Sequence, residues 1–377
     1  MDNNGSLFIN YFGIIKDIRQ QAKVRHKLID ILFIAVAATI ANASDWKDIE
    51  IFAIKREGWF RQFLELPNGI PSHDTIERTF RWIDAKQFEK CFVHWVREIA
   101  ALADRSIVAI DGKTMCGAFD TDDKKSPIHI VSAWSSENGM VLGQVKTDEK
   151  SNEITAIPEL LDLIFVKNCI VTIDAMGTQT KIAEKIIDQK ADYVLALKGN
   201  QPNLHKDVAD FFEDAEKNDF NGLKVKSSMT TDKDHGRIET RKYYLVTDID
   251  WLSMKDDWKG LKSIGMAVRE CDIKGEKTIE RRYFISSLKD SIEEFETAVR
   301  KHWGIESMHW FLDVVFKEDG RRVRKDNGPQ NLALLKRMAL NILRKDTTEP
   351  KYSLKGKRFA SSIDNDYLEQ VLIKNFI

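Results

Sequence analysis

The stretch Ser106–Gly117, SIVAIDGKTMCG, runs apolar and β-branched and then meets an acid followed at once by glycine and lysine. Its first half has the composition of a buried strand. Asp111-Gly112 is ordinary turn chemistry, but a strand end is also a rigid place from which to present a carboxylate to a metal ion. One Asp-Gly does not choose between these readings; further acids at comparable positions would.

A second such place exists. Cys169–Gly177, CIVTIDAMG, ends another apolar strand with Asp174, again with a glycine close behind. The interval from Asp111 to Asp174 admits two more strands, a crossover helix and the next strand. That crossover makes the later strand a parallel neighbour of the first. Two aspartates at the same end of neighbouring strands can share a cation; two unrelated turn aspartates are the alternative. A third acid comes from Arg300–Asp313, RKHWGIESMHWFLD. Read as one helix, it sets His302, Glu306, His309 and Asp313 at steps of four, three and four, a polar stripe beside Trp303, Trp310 and Leu312. A solvated helix edge fits such apolar neighbours poorly, and a zinc site of the HExxH type would have its glutamate elsewhere.

Two carboxylates on strand ends and one on a helix are what a two-metal phosphoryl-transfer site needs. Magnesium prefers oxygen ligands, and two such ions ~4 Å apart can activate a water or a 3′-hydroxyl and stabilise the leaving oxygen.

Around these residues the texture changes twice. The first hundred residues read as helices, with a nearly all-round apolar segment at Ile31–Ala43, ILFIAVAATIANA, and one long helix over DWKDIEIFAIKREGWFRQFL. In LPNGIPSHD, Ser72 or Asp74 is the candidate N-cap of the helix TIERTFRWI. From Ile107 the order strand, strand, strand, helix, strand, helix, strand predicts an α/β sheet, the order of an RNase H-like core. From about Asn200 to Lys289 a polar helix and alternating segments read as a β-rich insertion; helices then resume, and a polar tail with one short helix ends the chain. The expected organisation is a helical domain over 1–100 for DNA binding or association, a catalytic domain over 101–345 with its insertion at 200–289, and a tail over 346–377.

Bulk composition adds limits. The chain has 377 residues, 43% hydrophobic and 31% charged, as a soluble globular protein does. A formal net charge of -1 gives no overall bias toward nucleic acid, although acids around metals and bases around phosphates can sum to zero. Cys91, Cys116, Cys169 and Cys271 show no paired spacing, which predicts reduced thiols in the cytoplasm. The amino terminus lacks a signal-peptide layout, and the longest apolar run is shorter than the ~20 residues of a membrane helix.

At these residues the sequence resembles the DDE transposases of bacterial insertion sequences, specifically the H-repeat-associated group. The matching stretches are IDGK at 110–113, DAMGTQ at 174–179, LKGNQP at 197–202, HGRIETR at 235–241, HWGIESMHWFLDVVFKED at 302–319 and NLALLKRMALNILR at 331–344, with PSHDTIERTF at 71–80 ahead of them. The resemblance implies an RNase H-like nuclease and strand transferase that uses two Mg2+ or Mn2+ ions. Asp111, Asp174 and Glu306 would be the catalytic and metal-binding triad, and His302, His309 and Asp313 would support the glutamate. The chain departs from a related group with a Tyr-Arg-Glu-Lys signature, which has arginine and lysine where His302 and Asp313 stand; Cys116 likewise replaces a usual arginine. The implied partners are double-stranded DNA, both inverted repeats and target, and a second protomer at synapsis, with no membrane and a cytoplasmic, nucleoid-associated location.

Candidate DNA contacts follow. His235, Arg237, Glu239 and Arg241 alternate on one strand face, a basic ribbon for phosphates or a solvated hairpin; the resemblance favours DNA. Arg321, Arg322, Arg324 and Lys325 follow the Glu306 helix as a possible clamp on the scissile backbone or a solvated loop. Lys113 and Lys198 follow strands at the acid end and could touch a phosphate or offset carboxylate charge. Two rival functions stand beside the transposase: a decayed DNA-binding relic of such an element, and a metallohydrolase with zinc on His302 and His309.

Overall fold

The computed structural model describes residues 6–100, 102–115, 128–147, 153–234, 237–320 and 323–376. The apolar run after Ser106 forms strand β1, Ile107–Met115, which does not stop at Asp111 but passes through Asp111-Gly112. The strand end expected at Asp111 is corrected to continuous strand: Asp111 through Met115 all pair with strand β2, Ile128–Ser135. Strand β3, Met140–Lys146, completes an antiparallel meander. The chain then crosses over by one helix, Glu153–Leu163, to β4, Ile170–Ile173, and by a second, Thr180–Asp188, to β5, Asp192–Leu197. Both β1–β4 and β4–β5 pair in parallel, as crossover connections require.

The insertion holds a helix, Pro202–Lys217, and strands β6 (Val225–Asp234), β7 (Arg237–Val246), β8 (Ser263–Ile273) and β9 (Glu276–Ser286). It is not a detached lobe. Strand β9 pairs antiparallel with β5, from Val194 opposite Ser286 to Leu197 opposite Tyr283. Among the described residues one nine-stranded sheet therefore runs β3-β2-β1-β4-β5-β9-β8-β7-β6, a large mixed α/β architecture.

Counted in chain order, the helices ahead of β1 are α1 (Ser6–Phe12), α2 (Leu28–Ile40), α3 (Trp46–Lys55), α4 (Glu57–Phe60), α5 (His73–Trp82) and α6 (Ala85–Ile99); the crossovers are α7 and α8 and the insertion helix α9. After the sheet come α10 (Ile292–His302), α11 (Gly304–Val314), α12 (Gly328–Lys345), α13 (Leu354–Ile363) and α14 (Asn365–Phe376). Two sequence expectations change here and one is settled. The long helix over DWKDIEIFAIKREGWF breaks at Arg56, whose guanidinium turns to the Ser362 carbonyl and the Asn365 side chain, both at 2.6 Å. Ser72, not Asp74, caps α5 by accepting from the Thr75 amide. The tail over 346–377 holds its expected short final helix, α14, but also a second helix, α13; Phe376 is fully buried and stacks on Trp95 at 5.0 Å.

Helix α12 is buried almost throughout and packs against α2, α5, α6 and β3. Its polar side chains are what bind helices to sheet. Asn331 donates to the Phe80 and Ile83 carbonyls at 2.7 and 2.9 Å, and Asn341 exchanges two 2.8 Å bonds with the Val141 backbone. Glu89 of α6 adds a third tie by accepting from the Gln144 amide of β3 at 3.1 Å. Cys91, Cys169 and Cys271 are free and buried, and Cys116 lies outside the described residues. Among the described residues no helix is long and apolar enough to cross a membrane.

Burial, aided by the Glu159 charge, pushes the Glu89 carboxyl up to about 8. Its folded value thus lies above the unfolded one, so its contribution is complete below the ordinary carboxylate range and is lost as pH rises toward 8. Glu89→Gln, which cannot ionise, should hold its stability across that window while the unmutated protein falls relative to it by about 1.4 kcal/mol per pH unit. Urea denaturation at pH 5, 6.5 and 8 checks this; parallel curves would contradict it.

Candidate active site

The last parallel pair between β1 and β4 joins Ile110 to Ile173. Asp111 and Asp174 are therefore the next residues on neighbouring strands, as the two quoted stretches implied. A third carboxylate arrives from an unforeseen place, Glu153 in the first turn of α7. Asp111, Glu153 and Asp174 each offer an oxygen within 4.8 Å of the other two. An acid in a helix's first turn is commonplace, so Glu153 carried no distinguishing mark in the sequence. The glycine after Asp111 did carry one. A Cβ at Gly112 would lie 2.2 Å from Glu153 Oε1 and 2.3 Å from His129 Nε2, so glycine is there for close approach rather than for a turn.

Asp174 serves both readings offered by the sequence. Its carboxylate accepts from the Met176 and Gly177 amides at 3.1 and 3.3 Å, a turn closed by a side chain, while facing the acid cluster. Burial, then the charges of Asp174, Glu153 and Glu306, push Asp111 up to about 7. Burial and Glu153 also raise Asp174, against the two amides and Lys198.

The helix bearing Glu306 differs from the expected single stripe. It breaks at Trp303 into α10 and α11, so the four residues face different partners. His302 ends α10 and shares a 2.9 Å hydrogen bond with Thr172 of β4. Glu306 is exposed and lines a cleft of 360 Å3 with Asp111, Asp174, Lys198, His302 and Trp303. His309 Nδ1 stands 3.7 Å from Asp111. Burial, with Arg282, brings His302 down to about 4; burial, with Arg337 and Lys113, brings His309 down to about 3. Both imidazoles are neutral at physiological pH. Among the described residues the one group of three or more metal-ligating side chains is the carboxylate trio, without either histidine, so the zinc reading finds no support.

Lys113 shares the face of β1 with Asp111 but faces other acids. It pairs with Asp313, with Glu318 at 3.1 Å and with Asp319 at 3.4 Å. Glu318 is fully buried and takes Arg337 of α12 at 2.8 Å. Burial pushes the Glu318 carboxyl up, but Arg337, Lys113 and Lys336 outweigh it and hold it at about 2. Lys113 and Asp313 thus belong to a buried charge network that fastens α11 and α12 to β1. Lys198 is exposed on the cleft rim.

The strand face with Arg237 and Arg241 lines a second cleft, of 460 Å3, together with Arg269, Arg282, Arg300 and Trp303. Buried Glu239 gathers three of these arginines: Arg269 in two bonds at 2.9 and 3.1 Å, Arg241, and Arg237 at 3.6 Å. Arg282 and Trp303 border both clefts, with the guanidinium 4.8 Å from the indole centroid. His235, Arg321 and Arg322 lie outside the described residues. Arg324 and Lys325 sit between α11 and α12 and line neither cleft.

Residues 102–342 match a family model described as transposase DDE domain, and residues 9–96 one described as DDE_Tnp_1-associated. "Putative transposase YncI" of Escherichia coli O157:H7 is 46% identical over 370 residues, 97% of this chain and 94% of that one. "H repeat-associated putative transposase YhhI" of Escherichia coli strain K12 is 40% identical over 371 residues, 97% of each chain. A piggyBac transposase, from a synaptic complex with hairpin DNA, superposes over 99% of this chain and 76% of its own at TM-score 0.42 and 10% identity.

Glu318→Gln would leave Arg337 and Lys113 without their shared carboxylate in a site closed to water. Breaking a buried pair in this way costs about 3–5 kcal/mol. The loss should be read as a lower urea midpoint, and a variant as stable as the unmutated protein would show that the network does not hold α12 to β1.

Proposed function

This chain belongs to the transposase DDE-domain family, in its H-repeat-associated group, and from that premise we propose that it is a DNA transposase. It cuts the ends of its insertion sequence hydrolytically and joins the freed 3′-hydroxyl to target DNA. The observation that carries this reading is the juxtaposition of Asp111 and Asp174 on neighbouring parallel strands, with Glu306 lining the same cleft. The order β3-β2-β1-β4-β5 with its crossover helices reads as an RNase H-like core.

The three acids fit a hard divalent cation. They offer only oxygen, and the crowding that pushes Asp111 up to about 7, after burial itself, is relieved by a positive charge between them. Asp111, Asp174 and Glu306 would hold two Mg2+ or Mn2+ ions. When bound, such ions supply an activated water or 3′-hydroxyl and a counter-charge for the leaving oxygen. The chain's own residues supply position. The Met176 and Gly177 amides fix Asp174; neutral His302 walls the cleft and neutral His309 stands against Asp111, neither adding a competing charge; Lys198 stands on the rim as a candidate phosphate contact. Lys113, engaged by three acids, holds the scaffold instead.

The arginine cleft adjoins the acid cleft through Arg282 and Trp303 and has the charge to bind a phosphodiester backbone. Arg237 and Arg241 are its DNA contacts from the alternating strand face, joined by Arg269, Arg282 and Arg300. Arg324 and Lys325 would meet DNA outside both clefts, and Arg321 and Arg322, which precede them in the sequence, are candidate contacts as well. Two protomers would synapse the element ends, with the helical layer contributing to DNA binding or association, in the cytoplasm and on the nucleoid.

Asp174→Ala should lower magnesium-dependent cleavage of authentic element ends by more than about 100-fold, since even a neighbour of a metal ligand is commonly worth 10–100-fold. Unchanged cleavage would remove the proposed site, and DNA binding without cleavage by the unmutated chain would favour the decayed relic. Arg241→Ala and Arg282→Ala should each weaken DNA binding across sequences and reduce the slope of log K against log salt by about one. Fluorescence anisotropy over a salt series measures this, and slopes equal to that of the unmutated protein would move the DNA path elsewhere.

A further inference from the structure

Two buried acids of this protein are held by cations. Glu318 holds Arg337 and Lys113, and Glu239 holds Arg237, Arg241 and Arg269. Glu153 has neither arginine nor lysine among the described residues; its ion-pair partner is His129, at 2.8 Å from Nε2 to Oε1. Its other close neighbours are the carboxylates of Asp111 and Asp174. A side chain placed among like charges, with only an imidazole beside it among the described residues, is poorly explained as a stabilising contact, because each such neighbour raises the cost of ionising the others.

The way Glu153 is held is specific. A carboxylate accepts, so His129 Nε2 donates to Glu153, and Nδ1 on the other side of the ring shares a 3.0 Å hydrogen bond with the Thr114 hydroxyl. Thr114, Gly112 and the pair's landing place are all on β1, within three residues of Asp111. The glycine is what lets the imidazole and the carboxylate lie against the strand: a single Cβ there would overlap both. Thr114, His129 and Gly112 together aim one Glu153 oxygen at the two aspartates, the arrangement by which an outer partner orients a metal-binding carboxylate.

We propose that Glu153 is a fourth carboxylate of the metal centre and that His129 is the positioning residue that aims it. The proposal rests on the transposase reading of Asp111 and Asp174 and extends it to a residue outside the Asp111, Asp174 and Glu306 set. Because Glu306 is exposed on α11 while Glu153 touches the cluster directly, the first cation in the absence of DNA is held by Asp111, Glu153 and Asp174.

Manganese titration of the full-length, DNA-free protein, followed by the electron paramagnetic resonance of free Mn2+, tests this alongside thermal melting. Glu153→Gln should weaken Mn2+ binding at least 10-fold and at the same time raise the melting temperature, because a repulsive charge has gone. A merely structural glutamate would lower stability and leave Mn2+ affinity alone. His129→Ala should weaken binding by about 10-fold and His129→Gln by less, since the glutamine amide can still donate to Glu153; this pair carries the test if Glu153→Gln does not fold. Mn2+ affinity within twofold of the unmutated protein in Glu153→Gln, while Asp174→Asn loses at least 10-fold, would overturn the proposal and leave the transposase site standing. Unchanged affinity in Asp174→Asn as well would remove the site itself and this proposal with it.

Discussion

The buried contact of Arg337 with Glu318, and of Glu318 with Lys113, is the constraint on which the arrangement of this protein depends. Arg337 comes from a helix enclosed on nearly every side, Lys113 from the strand that also bears Asp111, and Glu318 from the segment just past α11. A buried charge left alone is costly, whereas one shared among three groups is tolerated only in a single geometry. That geometry brings the end of α11 against β1 and so sets Glu306 over the same cleft as Asp111 and Asp174. Lys113 therefore governs the acid site from two residues away without entering it.

The same accounting of charge separates the molecule into regions. Where carboxylates meet Arg337, Lys113 or the arginines around Glu239, each is neutralised locally. Where Asp111, Glu153 and Asp174 meet, the described residues offer only the His129 imidazole at Glu153 and the more distant charge of Lys198, and repulsion among the three is stored in the folded state. The near-zero total charge of the chain hides this partition. It sums a carboxylate cluster and an arginine cleft, the two lying side by side across Arg282 and Trp303.

Much of the fold was legible because its signals are local. The β-branched runs before Asp111 and Asp174 announced two strands, and the interval between them was enough to make those strands parallel neighbours. What stayed hidden depends on long-range packing. Gly112 looked like a turn residue because sequence shows a missing side chain but not the His129 and Glu153 side chains that fill its place. Glu153 was invisible since an acid at a helix start is ordinary. The break at Trp303 was missed because a four-three-four spacing of polar residues suits one helix or two in tandem. Lys113 and Asp313 read as accessories to the site when they are partners of each other. The ending at 346–377 looked solvated by composition, yet Arg358 reaches the Thr39 carbonyl and Phe376 reaches Trp95.

The pairing of β9 with β5 has a consequence for how far apart two events on one DNA molecule can lie. Strands in a sheet are about 4.8 Å apart, and β7, which bears Arg237 and Arg241, stands four strands from β4, which leads to Asp174. The sheet is thus a ruler of roughly 19 Å. Along one strand of duplex, at about 3.4 Å per nucleotide, that is a span of five or six nucleotides. With the ladder continuous from β4 to β7, the offset between where the proposed function would grip the backbone and where it would cut it is a property of the fold.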